Sequence, residues 1–317
     1  MKLTIIITVY NKEHYLQRAF DALLNQQNID SDDYEILAVN DGSTDESAII
    51  LEKIARYNRK VRILTQQNLG LSMARNNGVE KSNGDYIWFV DADDVISPNA
   101  VNLILNTVEN RPDVIPLYAE TKGWDHIRNQ VSSSAKTGKE VLLDGKWEPC
   151  GVFYVFRKEF LCRNTLRFMP GVYHEDSEFT PRMLYMAKSV KVVPVILYTV
   201  IHEPNSITQV PRAKRAFDLL IVAESLNSFV ENVGEIGTDI GQIFDNNIAV
   251  IINNGFGIIT RNDKEKQKEF DNAFRQKSQL IRPLLSAKGV KYTIEAILFK
   301  MFPFHNVFIY KLMKKFV

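Results

Sequence analysis

Two aspartates one residue apart close a very apolar short run: Tyr86-Ile87-Trp88-Phe89-Val90 leads straight into Asp91-Ala92-Asp93-Asp94. On an extended backbone such residues face the same side, so Asp91 and Asp93 can share one hard divalent cation. Positions would remain on that ion for phosphate oxygens and water. Mg²⁺ and Mn²⁺ both suit oxygen donors, and the spacing does not choose between them. The plain alternative is that these carboxylates solvate a strand end or cap the helix that Ser97-Pro98 opens. A D-x-D string alone is a weak signal, but its place after so apolar a strand favours the cation.

Other polar groups follow apolar runs in the same way. Asn40-Asp41-Gly42-Ser43-Thr44-Asp45 comes after Tyr34–Val39. Gly42 permits a tight turn, and Ser43-Thr44-Asp45-Glu46 has the pattern of a capping box. Capping does not account for Asp41, whose carboxylate can accept hydrogen bonds from a planar base or a ribose. Thr8-Val9-Tyr10-Asn11 adds an aromatic and an amide after the first run, although by itself it reads as an ordinary strand-to-helix turn. In the segment Gln67–Gly78, Gly70 marks a turn and Asn68 or Ser72 a helix start. Arg75, one turn in, can reach a diphosphate, while Leu71, Met73 and Ala74 read as packing. Neither G-x-x-x-x-G-K-[ST] nor G-x-G-x-x-G occurs there, which argues against a phosphate loop and a dinucleotide fingerprint.

Further along, Tyr173-His174-Glu175-Asp176-Ser177-Glu178 reads as a helix start, with Asp176 at the N-cap and Glu175 and Glu178 suited to the helix dipole. Asp176 is also the best general-base candidate outside the Asp91–Asp93 pair. His202, after the apolar Val190–Ile201 run, is either hydrogen-bonded or a ligand of phosphate or metal. His14, His126 and His305 show no partner spacing.

The elements that must position these groups alternate along the first 120 residues. Short β-branched runs at Leu3–Val9, Tyr34–Val39, Val61–Leu64, Tyr86–Val90 and Val114–Tyr118 fit strands buried on both faces. Between them, Tyr15, Leu16, Ala19, Phe20, Leu23 and Leu24 form one helical stripe, and Ala48, Leu51, Ile54 and Ala55 another. This alternation implies a doubly wound α/β sheet, with ligands beyond the carboxyl ends of its strands. Tyr10-Asn11, Asn40-Asp41 and Asp91–Asp94 are thereby expected in one neighbourhood. Residues 121–150 read as a long polar connection. Order returns over 151–202, with a helix expected from about Ser177 to Lys188, and beyond Pro211 the pattern is mostly helical.

Composition sets the outer bounds. The 317 residues hold 39 Lys plus Arg against 38 Asp plus Glu, and a net charge of +1 gives no pull toward nucleic acid. Cys150 and Cys162 are too few for a disulfide scaffold and no Cys/His cluster has zinc spacing, so a reducing cytoplasm is the default expectation. The start shows no signal-peptide pattern and no run is long enough to span a bilayer. Residues 288–317 carry six lysines against Glu295 alone, interleaved with aromatic and aliphatic residues. Such a tail suits a membrane surface, or equally a helix packed on its domain with its lysines solvated.

Taken together, Tyr10-Asn11, Asn40–Asp45, Gly70–Asn76 and Asp91–Asp94 resemble the motifs of the family 2 glycosyltransferases in their order. The resemblance implies an inverting enzyme of the GT-A fold: a Rossmann-like, mixed but mainly parallel sheet flanked by helices, followed here by a mostly helical C-terminal region. It implies a catalytic domain over 1–210, with a nucleotide-sugar-binding half over 1–120 and an acceptor-side half over 121–210, then a helical region over 211–317. It implies a nucleotide-sugar donor, with Asp41 on uracil, Asp91 on the uridine side and Asp93 on a Mn²⁺ or Mg²⁺ ion that bridges the diphosphate. Thr8, Tyr10, Asn11, Arg75, Ala92 and His202 fall on the donor-binding segments. Asp176, beside Glu175, becomes the base that deprotonates the acceptor, a saccharide or lipid-linked saccharide in surface-polysaccharide synthesis. Thr8 stands where the family more often has proline, a change in backbone stiffness.

Three rivals are weaker. A sugar-nucleotide pyrophosphorylase calls for a Gly-rich basic loop where Tyr10-Asn11-Lys12-Glu13 stands. An aspartyl phosphatase places its D-x-D after the first strand, where Thr8-Val9-Tyr10 stands. A non-catalytic nucleotide-sugar-binding or assembly protein has no need of Asp91, Asp93, Glu175 and Asp176 together.

Overall fold

The structure is a computed structural model and describes residues 1–29, 32–124, 126–201 and 212–315. His202 lies outside the described residues. Contacts divide the chain into two units, Met1–Gly171 with Met183–Pro204, and Val172–Arg182 with Asn205–Val317.

The first unit is built on nine strands: β1 (Leu3–Val9), β2 (Tyr34–Asp41), β3 (Val61–Gln66), β4 (Tyr86–Asp91), β5 (Val95–Ile96), β6 (Val114–Thr121), β7 (Ile127–Arg128), β8 (Tyr154–Arg157) and β9 (Val193–Val200). Their order is β3-β2-β1-β4-β8-β6-β9-β5, with β7 paired to β6. Strands β1 to β4 are mutually parallel, whereas β8 runs antiparallel to both β4 and β6. The sheet is therefore mixed, as the family resemblance implies. Two-sided burial holds for β1 and β2, where every residue of β2 is buried and of β1 all but Thr8. It does not hold for β3, which ends the strand order and buries only Val61.

Helices α1 (Leu16–Leu24), α2 (Ser47–Tyr57), α3 (Leu71–Lys81), α4 (Ala100–Val108), α5 (Gly138–Asp144) and α6 (Lys158–Arg163) connect these strands. The stripe read for α1 is its buried face, through Leu16, Ala19, Phe20 and Leu23. The stretch 121–150 is more ordered than its polarity suggested, since it contains β7 and α5. That helix opens on a complete capping box, Thr137 accepting from Glu140 N while the Glu140 carboxylate accepts from Thr137 N. Thr-x-x-Glu was legible there, but polar neighbours hid it.

α7 (Glu175–Met186) contains one of the points where the chain passes from one unit to the other, between Arg182 and Met183. The remaining helices, α8 (Ala213–Asn232), α9 (Asp239–Ile259), α10 (Lys264–Gln276), α11 (Ile281–Ser286), α12 (Val290–Met301) and α13 (Asn306–Met313), belong to the second unit. Their core is aromatic: Phe256 of α9 meets Phe270 and Phe274 of α10, Phe299 of α12 and Tyr310 of α13, with ring centroids 4.9 to 5.4 Å apart. Among the described residues no helix is long and apolar enough to cross a membrane.

Candidate active site

The parallel register sets the site. Thr8 of β1 pairs with Val39 of β2 and with Asp91 of β4, and Asp41 of β2 pairs with Gln66 of β3. The carboxyl ends of four strands are thus level, and Tyr10-Asn11, Asp41, the loop before α3 and Asp91–Asp94 all leave from that one edge.

Side chains stitch these loops together. Asn11, in the left-handed region at φ 54°, donates its backbone N–H to Ser43 Oγ at 3.2 Å and accepts from Thr44 N at 2.8 Å. Glu13 N donates to Asp45 Oδ2 at 3.2 Å, and the Glu13 carboxylate accepts from Glu46 N at 2.8 Å. The capping box expected at Ser43–Glu46 is therefore not what opens α2. The helix starts only at Ser47, Asp45 accepts from Ser47 N at 2.9 Å, and the loop after β1 satisfies the preceding amides. Tyr10, by contrast, is largely exposed.

Asp41 is buried, and its carboxylate accepts from Gln66 Nε2 at 2.7 Å, Leu69 N at 2.8 Å and Gly70 N at 2.9 Å. It thereby fixes the turn before α3. Gly70 has φ 85° and α3 begins at Leu71, so neither Asn68 nor Ser72 is its cap. Leu71 is exposed rather than packed, and the buried face of α3 is Ser72, Ala74, Arg75, Gly78 and Val79. Arg75 is only 1% exposed, an unusual state for an arginine unless it is paired. Its guanidinium lies 5.8 Å from the Phe89 ring centroid and 5.1 Å from that of Phe168, and Nη2 donates to Asp91 Oδ1 at 3.1 Å. Phe168 is held in turn by Asn76, which donates to its carbonyl at 2.8 Å and accepts from its N–H at 3.0 Å.

The Asp91–Asp93 segment is a turn rather than extended backbone, closed by Asp94 N donating to the Asp91 carbonyl at 3.1 Å. Two residues that sequence reasoning passed over reach it. The Lys12 ammonium forms an ion pair with the Asp93 carboxylate, and Arg18 Nη2 donates to the Asp93 carbonyl at 2.5 Å. Both cations also lie over the Tyr15 ring, at 5.4 and 5.7 Å from its centroid. Ala92 is buried beneath this turn. Tyr198 of β9, also passed over, accepts from Asp91 N at 3.1 Å and donates to Asp94 Oδ2 at 2.7 Å. Burial, with Asp91 and then Asp93 adding negative charge, pushes the Asp94 carboxyl up to about 7. Nothing in the sequence pairs Tyr198 with Asp94, because 104 residues separate them.

Each carboxylate of the pair already faces one basic group, Asp91 facing Arg75 and Asp93 facing Lys12. Both are partly exposed, at 35% and 25%. Two hard oxygen donors that solvent reaches fit a Mg²⁺- or Mn²⁺-type site, which commonly takes one or two carboxylates and completes its shell with phosphate and water. Among the described residues no third His, Cys, Asp or Glu joins them.

In the second unit, α7 begins at Glu175, so Asp176 lies inside the first turn and is not the N-cap. Glu175 is buried and Asp176 half-buried. Glu178 is tied on both oxygens, accepting from Arg182 Nε at 2.7 Å, Arg182 Nη2 at 2.6 Å and Ser225 Oγ at 2.8 Å. His174 precedes the helix at φ 65°. Burial and then the nearby Arg215 charge lower its pKa to about 4.

The model of the family described as glycosyl transferase family 2 matches residues 4–162, half of the chain. The chain belongs to glycosyl transferase family 2. That match takes in β1 to β8 and all four sequence segments at the strand ends. Among its relatives, an uncharacterized glycosyltransferase, EpsJ, of Bacillus subtilis is 31% identical over 66% of this chain and 63% of its own length. A poly(ribitol-phosphate) beta-glucosyltransferase of Bacillus spizizenii is 32% identical over 61% of this chain and 31% of its own. The chain thus matches less than two thirds of the length of either relative. The crystal structure of S. aureus TarS 1-349 in complex with UDP-GlcNAc shares the fold, with a TM-score of 0.77 at 18% identity, covering 99% of this chain and 92% of that one.

Proposed function

We propose that the chain is a metal-dependent, inverting glycosyltransferase that moves a hexosyl or N-acetylhexosaminyl group from a UDP-sugar to an acceptor hydroxyl. The observation that carries this reading is the level carboxyl edge of β1 to β4, where Asn11, Asp41, Asp91 with the buried Arg75 as its partner, and Asp93 leave from neighbouring strand ends. A family 2 chain with that edge needs three things: a seat for the nucleoside, a counter-charge for the diphosphate, and a base for the acceptor.

Asp41 stiffens the turn before α3 and has oxygen lone pairs suited to a uracil edge. Arg75, immobilised between Phe89 and Phe168, orients Asp91 toward the uridine side. Asp91 and Asp93 would hold a Mn²⁺ or Mg²⁺ ion, which when bound supplies positive charge against the leaving diphosphate. Thr8, Tyr10, Asn11 and Ala92 line the segments that leave the same edge, and His202 remains a further donor contact to test. The reading assigns the acceptor proton to Asp176, with Glu175 beside it, in a single displacement at the anomeric carbon without a covalent enzyme intermediate. Likeness to a poly(ribitol-phosphate) beta-glucosyltransferase supports a role in cell-surface polymer synthesis, and the reading adds a saccharide or lipid-linked saccharide acceptor at the inner face of the cell membrane.

The test is metal-dependent release of UDP from a panel of UDP-sugars, scored with Mn²⁺ and with chelator. Asp93→Asn is expected to abolish the metal response. Asp176→Asn is expected to keep donor binding and lose about 10²-fold or more in transfer. If no UDP-sugar or GDP-sugar is bound or hydrolysed with or without Mn²⁺, the transferase reading fails.

A further inference from the structure

The outer surface of the last two helices is apolar where a solvated surface should be polar. α12 buries Glu295, Ala296 and Phe299 against its own unit. On its other side Val290, Ile294, Ile297 and Met301 are 43 to 75% exposed, and their spacing of four, three and four residues draws one continuous stripe. α13 repeats the arrangement. It buries Val307, Ile309 and Tyr310 and exposes Phe308 and Leu312, with Phe304 exposed one turn before Phe308. The inner faces already supply the aromatic core through Phe299 and Tyr310, so folding of this unit does not account for the outer stripes.

Charge says what suits these stripes. Residues 288–315 carry Lys288, Lys291, Lys300, Lys311, Lys314 and Lys315, and the one acid among them, Glu295, is wholly buried. Phe304 and Phe308 share a groove of about 630 Å³ with Lys264, Lys268 and Lys311, alongside Glu265 and Asp271. The Arg275 guanidinium stacks over Phe304 at 4.4 Å. A second copy of this chain would meet the same face across a two-fold axis, setting lysines against lysines with no exposed acid from 288–315 between them. An anionic bilayer meets both needs, because the apolar side chains enter the interface while the lysine heads meet phosphate.

We propose that the outer faces of α12 and α13 form a membrane-surface seat for anionic phospholipid. The seat stands apart from the transferase reading, since it needs neither donor nor metal.

The full chain is mixed with vesicles of phosphatidylcholine alone or of phosphatidylcholine with phosphatidylglycerol, and the bound fraction is measured by co-sedimentation. Binding is expected only with phosphatidylglycerol, and is expected to fall as salt rises. Ile297→Ser/Met301→Ser/Phe308→Ser removes apolar anchors, and Lys300→Gln/Lys314→Gln/Lys315→Gln removes charge. Each triple variant is expected to lower partitioning by about tenfold or more while leaving thermal unfolding unchanged, because all six side chains are exposed. Equal binding to neutral vesicles, binding that survives both variants, or no binding at all overturns the proposal. So does a dimer in sedimentation velocity that the apolar triple variant dissociates while vesicles remain unbound.

Discussion

Lys12 places an ammonium against the carboxylate that the proposed function gives to a divalent ion. The two cations compete for one oxygen pair, so Lys12 sets how strongly Asp93 attracts metal in the absence of donor. A unit charge about 4 Å away is worth about 4 kcal/mol at an effective dielectric of about 20, and partial exposure reduces this. Lys12→Met is therefore expected to tighten Mn²⁺ binding by about tenfold in calorimetry without nucleotide. Unchanged or weaker binding would remove Lys12 from the site. His174 makes a second case at this scale. Its Nε2 is buried without a hydrogen-bond partner among the described residues. Arg215 opposes its protonation, and Asp218, itself paired with Lys214 at 2.6 Å, favours it. With a folded pKa near 4 against an ordinary value of about 6.5, the neutral ring's contribution to stability is complete above pH 6.5. It is lost as pH falls toward 4, because only the unfolded chain takes up the proton over that range. His174→Asn keeps a residue that tolerates the left-handed backbone. The variant is expected to be less sensitive to acid than the parent, by about 1 kcal/mol between pH 8 and pH 5 after discounting for partial exposure, as read by urea unfolding.

At the scale of elements, the turn after β2 shows how closely the loops of the site approach one another. Gly42 has φ +70°, and a Cβ there would lie 2.7 Å from Asn68 N, in the segment that Asp41 holds. Gly145, after α5, has nearly the same φ of +69° with nothing within 4 Å. Gly145→Ala is thus expected to cost only the left-handed strain, about 1 kcal/mol. Gly42→Ala should cost at least about 1 kcal/mol more and weaken donor binding as well, because backbone rather than a flexible side chain must move. Equal losses in both variants would mean that the Asn68 approach is slack. The strands that carry these loops were legible because two-sided burial demands uninterrupted apolar runs, as in Ile5-Ile6-Ile7 and Ile36-Leu37-Ala38-Val39. The helix starts were read less well. A local capping rule assigns Ser43–Glu46 to α2, but those residues bond to Asn11 and Glu13, more than thirty positions away. Tyr198, Lys12 and Arg18 escaped notice for the same reason: their partners are set by sheet order and loop packing, and no spacing along the chain encodes them.

At the scale of the whole molecule, the near-zero net charge joins two chemically different surfaces, an acidic strand edge in one unit and a lysine-rich apolar face in the other. The donor-binding edge and the lipid seat lie in different units, and amide exchange can read them separately. A ligand that binds only the folded state slows local opening by about 1 + [L]/Kd, or about a hundredfold at a hundredfold excess over Kd. With Mn²⁺ and a UDP-sugar, protection is expected to rise over residues 10–13, 40–47, 66–72 and 91–94, the loops joined by Asn11, Asp41 and Asp93, and to stay unchanged over α12 and α13. With phosphatidylglycerol vesicles the pattern should invert, with protection over 290–313 and none at the strand-end loops. Protection of the loops by vesicles, or of α12 and α13 by the donor, would mean that the two surfaces report one binding event. Asp93→Asn should then erase the donor pattern and spare the vesicle pattern, since α12 and α13 carry their own charge and apolar area. Loss of both patterns in that single variant would end the division of labour between the units.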